Sequence, residues 1–308
     1  MPIDGKYGNI DPEIVGAWLG SIGTTGRTAQ AYEVGFRAFC RFVADSAYDF
    51  DDLEKRHVEE FRRHLKNDLG LAPATVSLYL SGVRSFYRFS ANRGVEDVAK
   101  NVKGEKPSRT FSREALTVEQ AKDLIASFGS PGNEKDARDL AIVSLMVHTG
   151  LRDIEVVRAD RRDYTTSGGY DVIKVFGKGR AEADDLVKVS TALKGHIDGY
   201  LEFREPLSPS DPLFASCANR NRGGRLTVQS VSRIVKGALR RIGIDDPSYT
   251  AHSLRHTAGT IGLKSGARLE DVQAMLRHAD LSTTMIYAHH ISRLEEAAED
   301  AIAKALDE

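Results

Sequence analysis

A mainly α-helical chain with one small antiparallel β-sheet, divided between two domains, is the fold class this sequence predicts. Three observations carry the prediction. At 308 residues the chain exceeds a typical single domain and fits two. Apolar residues recur at helical spacing through the first hundred residues and again after Leu193. Between those stretches, Tyr170 to Phe176 and Leu186 to Val189 alternate as strands do, with Gly177-Lys178-Gly179-Arg180 as the turn that joins them.

The first element opens at Asp11-Pro12-Glu13: a capping side chain, a proline at the first helical position and an acid in the first turn. Its apolar residues are Ile14, Val15, Trp18, Leu19 and Ile22, and a Gly-Thr-Thr-Gly break ends it. Tyr32, Phe36, Phe39, Cys40 and Val43 then mark a second helix, and Val58, Phe61 and Leu65 a third. Pro73 begins a fourth, with Val76, Leu80, Val83 and Phe86 inward and Gly94 closing it. Its other face carries Thr75, Ser77, Arg84, Ser85 and Arg88, short polar and basic groups suited to phosphate. Residues 95–114 are polar, basic and aperiodic, and read as a linker between a helical domain at 1–94 and a second domain at 115–290. In the second domain Thr117-Val-Glu-Gln is a helix start, and Ala137 to His148 is a strongly apolar helix. At 291–308, Ile291, Leu294, Ala298, Ala301, Ile302 and Leu306 form one apolar stripe on an otherwise acidic helix.

Composition excludes several classes. No apolar run approaches the roughly 20 residues of a membrane span, and MPIDGKYGNIDPE has neither the basic nor the apolar region of a secretory signal. Two cysteines, Cys40 and Cys217, are too few for a disulfide framework and suit a reducing, cytoplasmic setting. Cys40 falls on the buried stripe of its helix and reads as core filler.

Net charge is only −1, but its distribution is uneven. From Arg84 to Arg113 there are eight basic residues, among them Arg84, Arg88, Lys103 and Arg109, against three acids. From Pro212 to Ile244 there are seven, among them Arg220, Arg222 and Arg225, and no acid. After Arg293 six acids face Lys304 alone and mask the asymmetry in the sum. Such blocks are often solvated faces; here they bracket residues suited to phosphate chemistry, and Arg84, Arg88, Lys103, Arg109, Arg220, Arg222 and Arg225 are the candidate DNA contacts.

Four short stretches carry that chemistry: HTGLRDIE with Arg152 and Glu155, FGKGR with Lys178, AHSLRHTAGT with His252 and Arg255, and LRHADLSTTMIY with His278 and Tyr287. Opening a phosphodiester requires neutralising the charge on its non-bridging oxygens as a pentavalent transition state forms. Arginine suits this, with a permanent charge and a planar fork that grips two oxygens. Glu155, three residues after Arg152, is a helical neighbour placed to hold that arginine or a nearby histidine. His252 and Arg255 share a helix face. The i, i+4 pair His252 and His256 has zinc-binding spacing, but Ser253 stands where a metalloprotease has glutamate and no third ligand is evident.

In this order and spacing the four stretches resemble the tyrosine recombinase, or phage integrase, family, from about Ile14 to the C-terminus. The resemblance implies a SAM-like core-binding domain followed by a catalytic domain. It implies Arg152, Lys178, His252, Arg255 and His278 around Tyr287, the nucleophile, with Glu155 in support, and no metal or other cofactor. Lys178 would protonate the leaving 5′-oxygen, with Arg180 a second basic group on the same turn. His252 would move the proton on and off the tyrosine, and His278 would bond the scissile phosphate. Arg277 stands where the family commonly has glycine. That departure adds bulk and charge beside the site, as an extra phosphate contact or an altered helix–helix approach.

The implied activity is site-specific recombination of double-stranded DNA at paired half-sites, through a 3′-phosphotyrosine and a Holliday junction. The implied assembly is a homo-tetramer linked by exchange of the acidic C-terminal helix, although such a helix also docks on its own domain. An accessory protein is a further potential partner. The job is chromosome dimer resolution or mobile-element integration and excision. Only about ten residues precede the first helix, which favours a compact Xer-like or transposon-type enzyme. The rivals are a type IB topoisomerase, separated by a relaxation assay, a non-catalytic DNA-binding accessory protein, and a zinc hydrolase, separated by metal content.

Overall fold

The computed structural model describes residues 7, 10–22, 26–105, 114–176, 183–204, 206–278, 285 and 306. The chain divides into two compact units, Met1–Thr110 and Phe111–Glu308.

In the first unit, α1 spans Pro12–Ser21, α2 Gly26–Asp45, α3 Lys55–Arg63 and α4 Pro73–Ala91. The Asp11 carboxylate accepts the Glu13 N–H at 2.8 Å, which satisfies one of the donors a helix start leaves open. The core is aromatic. Trp18 meets Phe36 and Phe86 edge-on at 5.2 and 5.4 Å, and those two rings stack at 4.0 Å. The Trp18 Nε1–H is not stranded by this burial, because it donates to Ser85 Oγ at 3.1 Å. Of the apolar residues on α1, Ile14 is exposed, while Val15 and Trp18 are buried. The apolar positions of α1 span more of its circumference than the face it turns to α2 and α4.

Helices α2 and α4 approach almost backbone to backbone. A Cβ on Gly35 would lie 2.5 Å from the Tyr79 Cα, and one on Gly82 would lie 2.4 Å from the Tyr32 carbonyl oxygen. Neither position admits a side chain. The stretch expected to begin the linker is, as far as residue 105, part of this unit. Val98, Ala99 and Val102 are buried in its core, and Arg84 and Ser77 of α4 donate to the Val102 and Glu105 carbonyls. The sequence here lacks helical spacing because it packs as a turn-rich strap, whose side chains follow no period.

In the second unit, α5 spans Val118–Ala126, α6 Glu134–Thr149, α7 Asp153–Arg158, α8 Thr191–Leu201, α9 Val228–Arg241, α10 Ala251–Lys264 and α11 Leu269–Leu276. Thr117 and Gln120 close a capping box on α5. Helix α6 is buried almost all round and is the axis on which α8, α9 and α10 pack. Its buried Arg138 is compensated by Asp139 at 2.6 Å and by the Ala215 carbonyl at 3.0 Å.

The sheet has three strands in the order β1 Tyr164–Ser167, β2 Tyr170–Phe176 and β3 Ala183–Lys188, all antiparallel. Ile173 pairs with Tyr164 on one side and Val187 on the other, and all three face the core. β1 was not anticipated, being short and paired through a Gly168-Gly169 turn that takes positive φ at both residues. The turn between β2 and β3, with Lys178, lies outside the described residues, as do Arg109, Tyr287 and all of the expected C-terminal helix except Leu306. Among the described residues no helix is long and apolar enough to cross a membrane.

Candidate active site

Arg152 is the N-cap of α7, set there by the left-handed turn at Gly150 that ends α6. It is held from two sides by one carboxylate. Glu155, one turn on, accepts the Arg152 backbone N–H on Oε2 at 2.7 Å and its guanidinium on Oε1 at 2.9 Å. The cap therefore also aims the side chain.

Arg255 reaches the same place from α10. Only 1% of its surface is exposed, yet its charge is matched by backbone oxygens. Nη1 donates to the Gly150 carbonyl at 2.7 Å, and Nη2 donates to the Leu276 carbonyl. One guanidinium thus ties the turn before Arg152 to the end of α11. Gly150 is required at this junction: its φ is +63°, and a Cβ there would lie 2.4 Å from a Leu276 methyl.

His278 follows the end of α11, with its backbone bonded in both directions to Gln273. Burial, then the neighbouring Arg255 and Arg152, push the imidazole down to about 4. It is therefore neutral at physiological pH and offers both a donor and an acceptor. His252 lies one turn before Arg255, exposed, with its ring edge-on to His256 at 5.0 Å. Arg152, Glu155, Arg255 and His278 are brought together from segments more than a hundred residues apart, as the 105-residue separation of Arg255 from Gly150 illustrates.

Arg277 enters this cluster in a way the sequence did not suggest. It takes the left-handed conformation that a glycine would take, and its guanidinium pairs with Glu155 Oε2 at 2.8 Å. Burial alone would push the Glu155 carboxyl up. Arg277, the Arg152 N–H and the Arg152 guanidinium outweigh burial and hold it below the ordinary carboxylate value.

The expected DNA contacts divide. Ser81, Arg84, Ser85, Arg88 and Lys103 line one depression of about 570 Å³ on the first unit. Arg220 is exposed. Arg222 pairs with Glu134 at 3.1 Å, and Arg225 is committed to Asp160 and the Val157 carbonyl. The 212–244 block is acid-free in sequence but not in space: Glu134, Asp136 and Asp160 are brought to it from elsewhere. Arg225 accordingly ties these segments together.

Known proteins resemble both parts of the chain. Residues 114–293 match the model of the phage integrase family, and residues 21–97 match its N-terminal SAM-like domain. The chain is 31% identical to the tyrosine recombinase XerC of Corynebacterium glutamicum, over 91% of this chain and 88% of that protein. It is 30% identical to the tyrosine recombinase XerD of Listeria innocua, over 87% and 89%. Its fold is shared with XerH bound to a palindromic difH substrate (TM-score 0.73, 22% identity, covering 88% of this chain and 78% of that one). It is also shared with a lambda integrase dimer bound to a core site (TM-score 0.66, 18% identity, covering 88% and 94%). The matched segment spans Arg152, Arg255 and His278, whose convergence the structure shows, and with these matches the chain belongs to the phage integrase family of tyrosine recombinases.

Proposed function

We propose that the protein is a site-specific DNA recombinase that cuts and rejoins strands through a covalent 3′-phosphotyrosine. The observation that supports this most directly is the convergence of Arg152 and Arg255 on one place beside His278, in a chain of this family. Two guanidiniums neutralise the non-bridging oxygens of the scissile phosphate, and His278 bonds one of them. The Tyr287 oxygen attacks phosphorus, the P–O5′ bond breaks, and Lys178 supplies the proton to the departing 5′-oxygen. His252 takes the tyrosine proton. The 5′-hydroxyl of a partner duplex then gives its proton to Lys178 and attacks phosphorus, the bond to the Tyr287 oxygen breaks, and His252 returns the proton to the tyrosine.

In this reading the core-binding domain runs to residue 105, 106–114 form the basic linker and 115–290 the catalytic domain. Arg84, Arg88 and Lys103 contact phosphates from their shared depression. Four protomers act on two duplexes through a Holliday junction, linked by the 291–308 helix. A lambda integrase tetramer bound to such a junction shares this fold, at a TM-score of 0.66. A nicked suicide duplex, carrying the site selected from a random pool, tests the reading. The wild type is expected to form a denaturant-resistant adduct, and Tyr287→Phe to bind the duplex with near-equal affinity and form none. An adduct with the phenylalanine variant refutes the assignment of the nucleophile.

A further inference from the structure

Arg277 has φ +53° and ψ +46°, the left-handed conformation. A side chain costs free energy there, because Cβ crowds the carbonyl, and glycine does not. Such a residue persists where its surroundings require its side chain. Here the side chain is drawn inward: only 11% of it is exposed, Nη1 donates to the Met275 carbonyl at 2.8 Å, and Nη2 donates to Glu155 Oε2 at 2.8 Å.

The partner is already in use. Glu155 Oε2 also accepts the Arg152 N–H, and Oε1 accepts the Arg152 guanidinium. One buried carboxylate therefore sits between two guanidiniums. Glu155 and Arg152 alone would sum to zero charge at a place that must oppose a growing anion. With Arg277 the trio carries one net positive charge. Both carboxylate oxygens are also occupied, so the carboxylate plane, and with it the direction of the Arg152 fork, has a single favoured setting.

We propose that Arg277 is a positioning residue for Arg152, acting through Glu155, which it holds in place against Arg152 while keeping the site's charge positive. The inference rests on the reading of Arg152 as the phosphate-gripping arginine. It gives a physical role to a residue that departs from the glycine usual in the family. Arg277 is also one of the charges acting on His278, after burial, Arg255, Arg152 and His256, in the direction that keeps the imidazole neutral.

The test compares the full-length protein with Arg277→Gly, which takes the same backbone angles without strain, and with Arg277→Lys, which keeps the charge but not the fork. Arg277→Asn, also at home in the left-handed region, replaces the glycine variant should that one fail to fold by circular dichroism. Carboxyl 13C titration follows Glu155, and the side-chain 15Nε–1H signal follows Arg152. In the glycine variant the Glu155 midpoint is expected to move up, and the Arg152 signal to broaden by exchange. The single-turnover rate of adduct formation on the nicked duplex should fall by roughly tenfold or more with unchanged DNA affinity, because the phosphate is gripped in the wrong orientation. The lysine variant should hold the Glu155 midpoint low and recover part of the rate. An unmoved Glu155 midpoint, an unbroadened Arg152 signal or an unchanged rate in the glycine variant overturns the proposal. A wild type that forms no adduct overturns the proposed function instead, and the two spectra still decide the role of Arg277.

Discussion

Replacing Gly150 with alanine tests whether the junction between α6, α10 and α11 is as close as it looks. The φ of +63° imposes the left-handed penalty on any L side chain, about 1–2 kcal/mol. The new methyl would lie 2.4 Å from a Leu276 methyl and 3.4 Å from the Ala258 Cβ. Carbon atoms rest at roughly 3.5–4 Å, so Leu276 must retreat by about 1 Å. Overpacking of that kind costs ~1–3 kcal/mol. Together the two effects come to about 3 kcal/mol, or roughly 6–12 °C in Tm for a unit of this size. Because the Gly150 carbonyl accepts from Arg255 and the Leu276 carbonyl does too, the displacement also moves the Arg255 guanidinium. Urea unfolding followed by circular dichroism, with hydrogen exchange of α6 and α10 amides, measures the cost. The protein's one tryptophan, Trp18, belongs to the first unit, so its fluorescence is the wrong probe for this transition. Repeating the substitution in a Leu276→Ala background isolates the steric part, which should largely vanish and leave the backbone part. A wild-type midpoint for Gly150→Ala refutes the reasoning, and an equal cost in both backgrounds refutes its steric half.

Arg152→Ala and Arg255→Ala are each expected to slow adduct formation by roughly 10²–10³-fold, since the transition-state charge is left uncompensated. Lys178→Ala should be restored by a 5′-phosphorothiolate duplex, whose sulfur leaves without a proton, whereas the arginine variants should not; equal restoration of all three removes Lys178 from the proton-donor role. For His278, the folded midpoint near 4 lies below the ordinary 6.5, so between those values the unfolded chain binds a proton that the folded chain does not. Stability is therefore full above pH 6.5 and declines as pH falls toward 4, and His278→Gln should flatten that decline. An imidazole NMR titration of His278 centred near 6.5 contradicts the burial argument.

The residue order itself determined the fold class and the local pairings within it. Arg152 and Glu155 are three apart, His252 and Arg255 likewise, and helical geometry alone says that such pairs are neighbours. The alternation in Tyr170–Phe176 and the caps at Asp11 and Thr117 are equally local, and the structure contains each of them. Contacts between distant segments were decided only by the tertiary structure. Arg277 and Glu155 are 122 residues apart, and no spacing rule connects them. Gly35 and Gly82 look like weak points in two helices until α2 and α4 cross at them. Arg225, in a stretch without acids, finds Asp160 across a gap of 65 residues. Periodicity and capping act over one or two turns of chain, so a sequence displays them directly. Charge compensation, close approach and the aim of a guanidinium depend on which surfaces the folded chain brings together, and that is settled by packing the two cores.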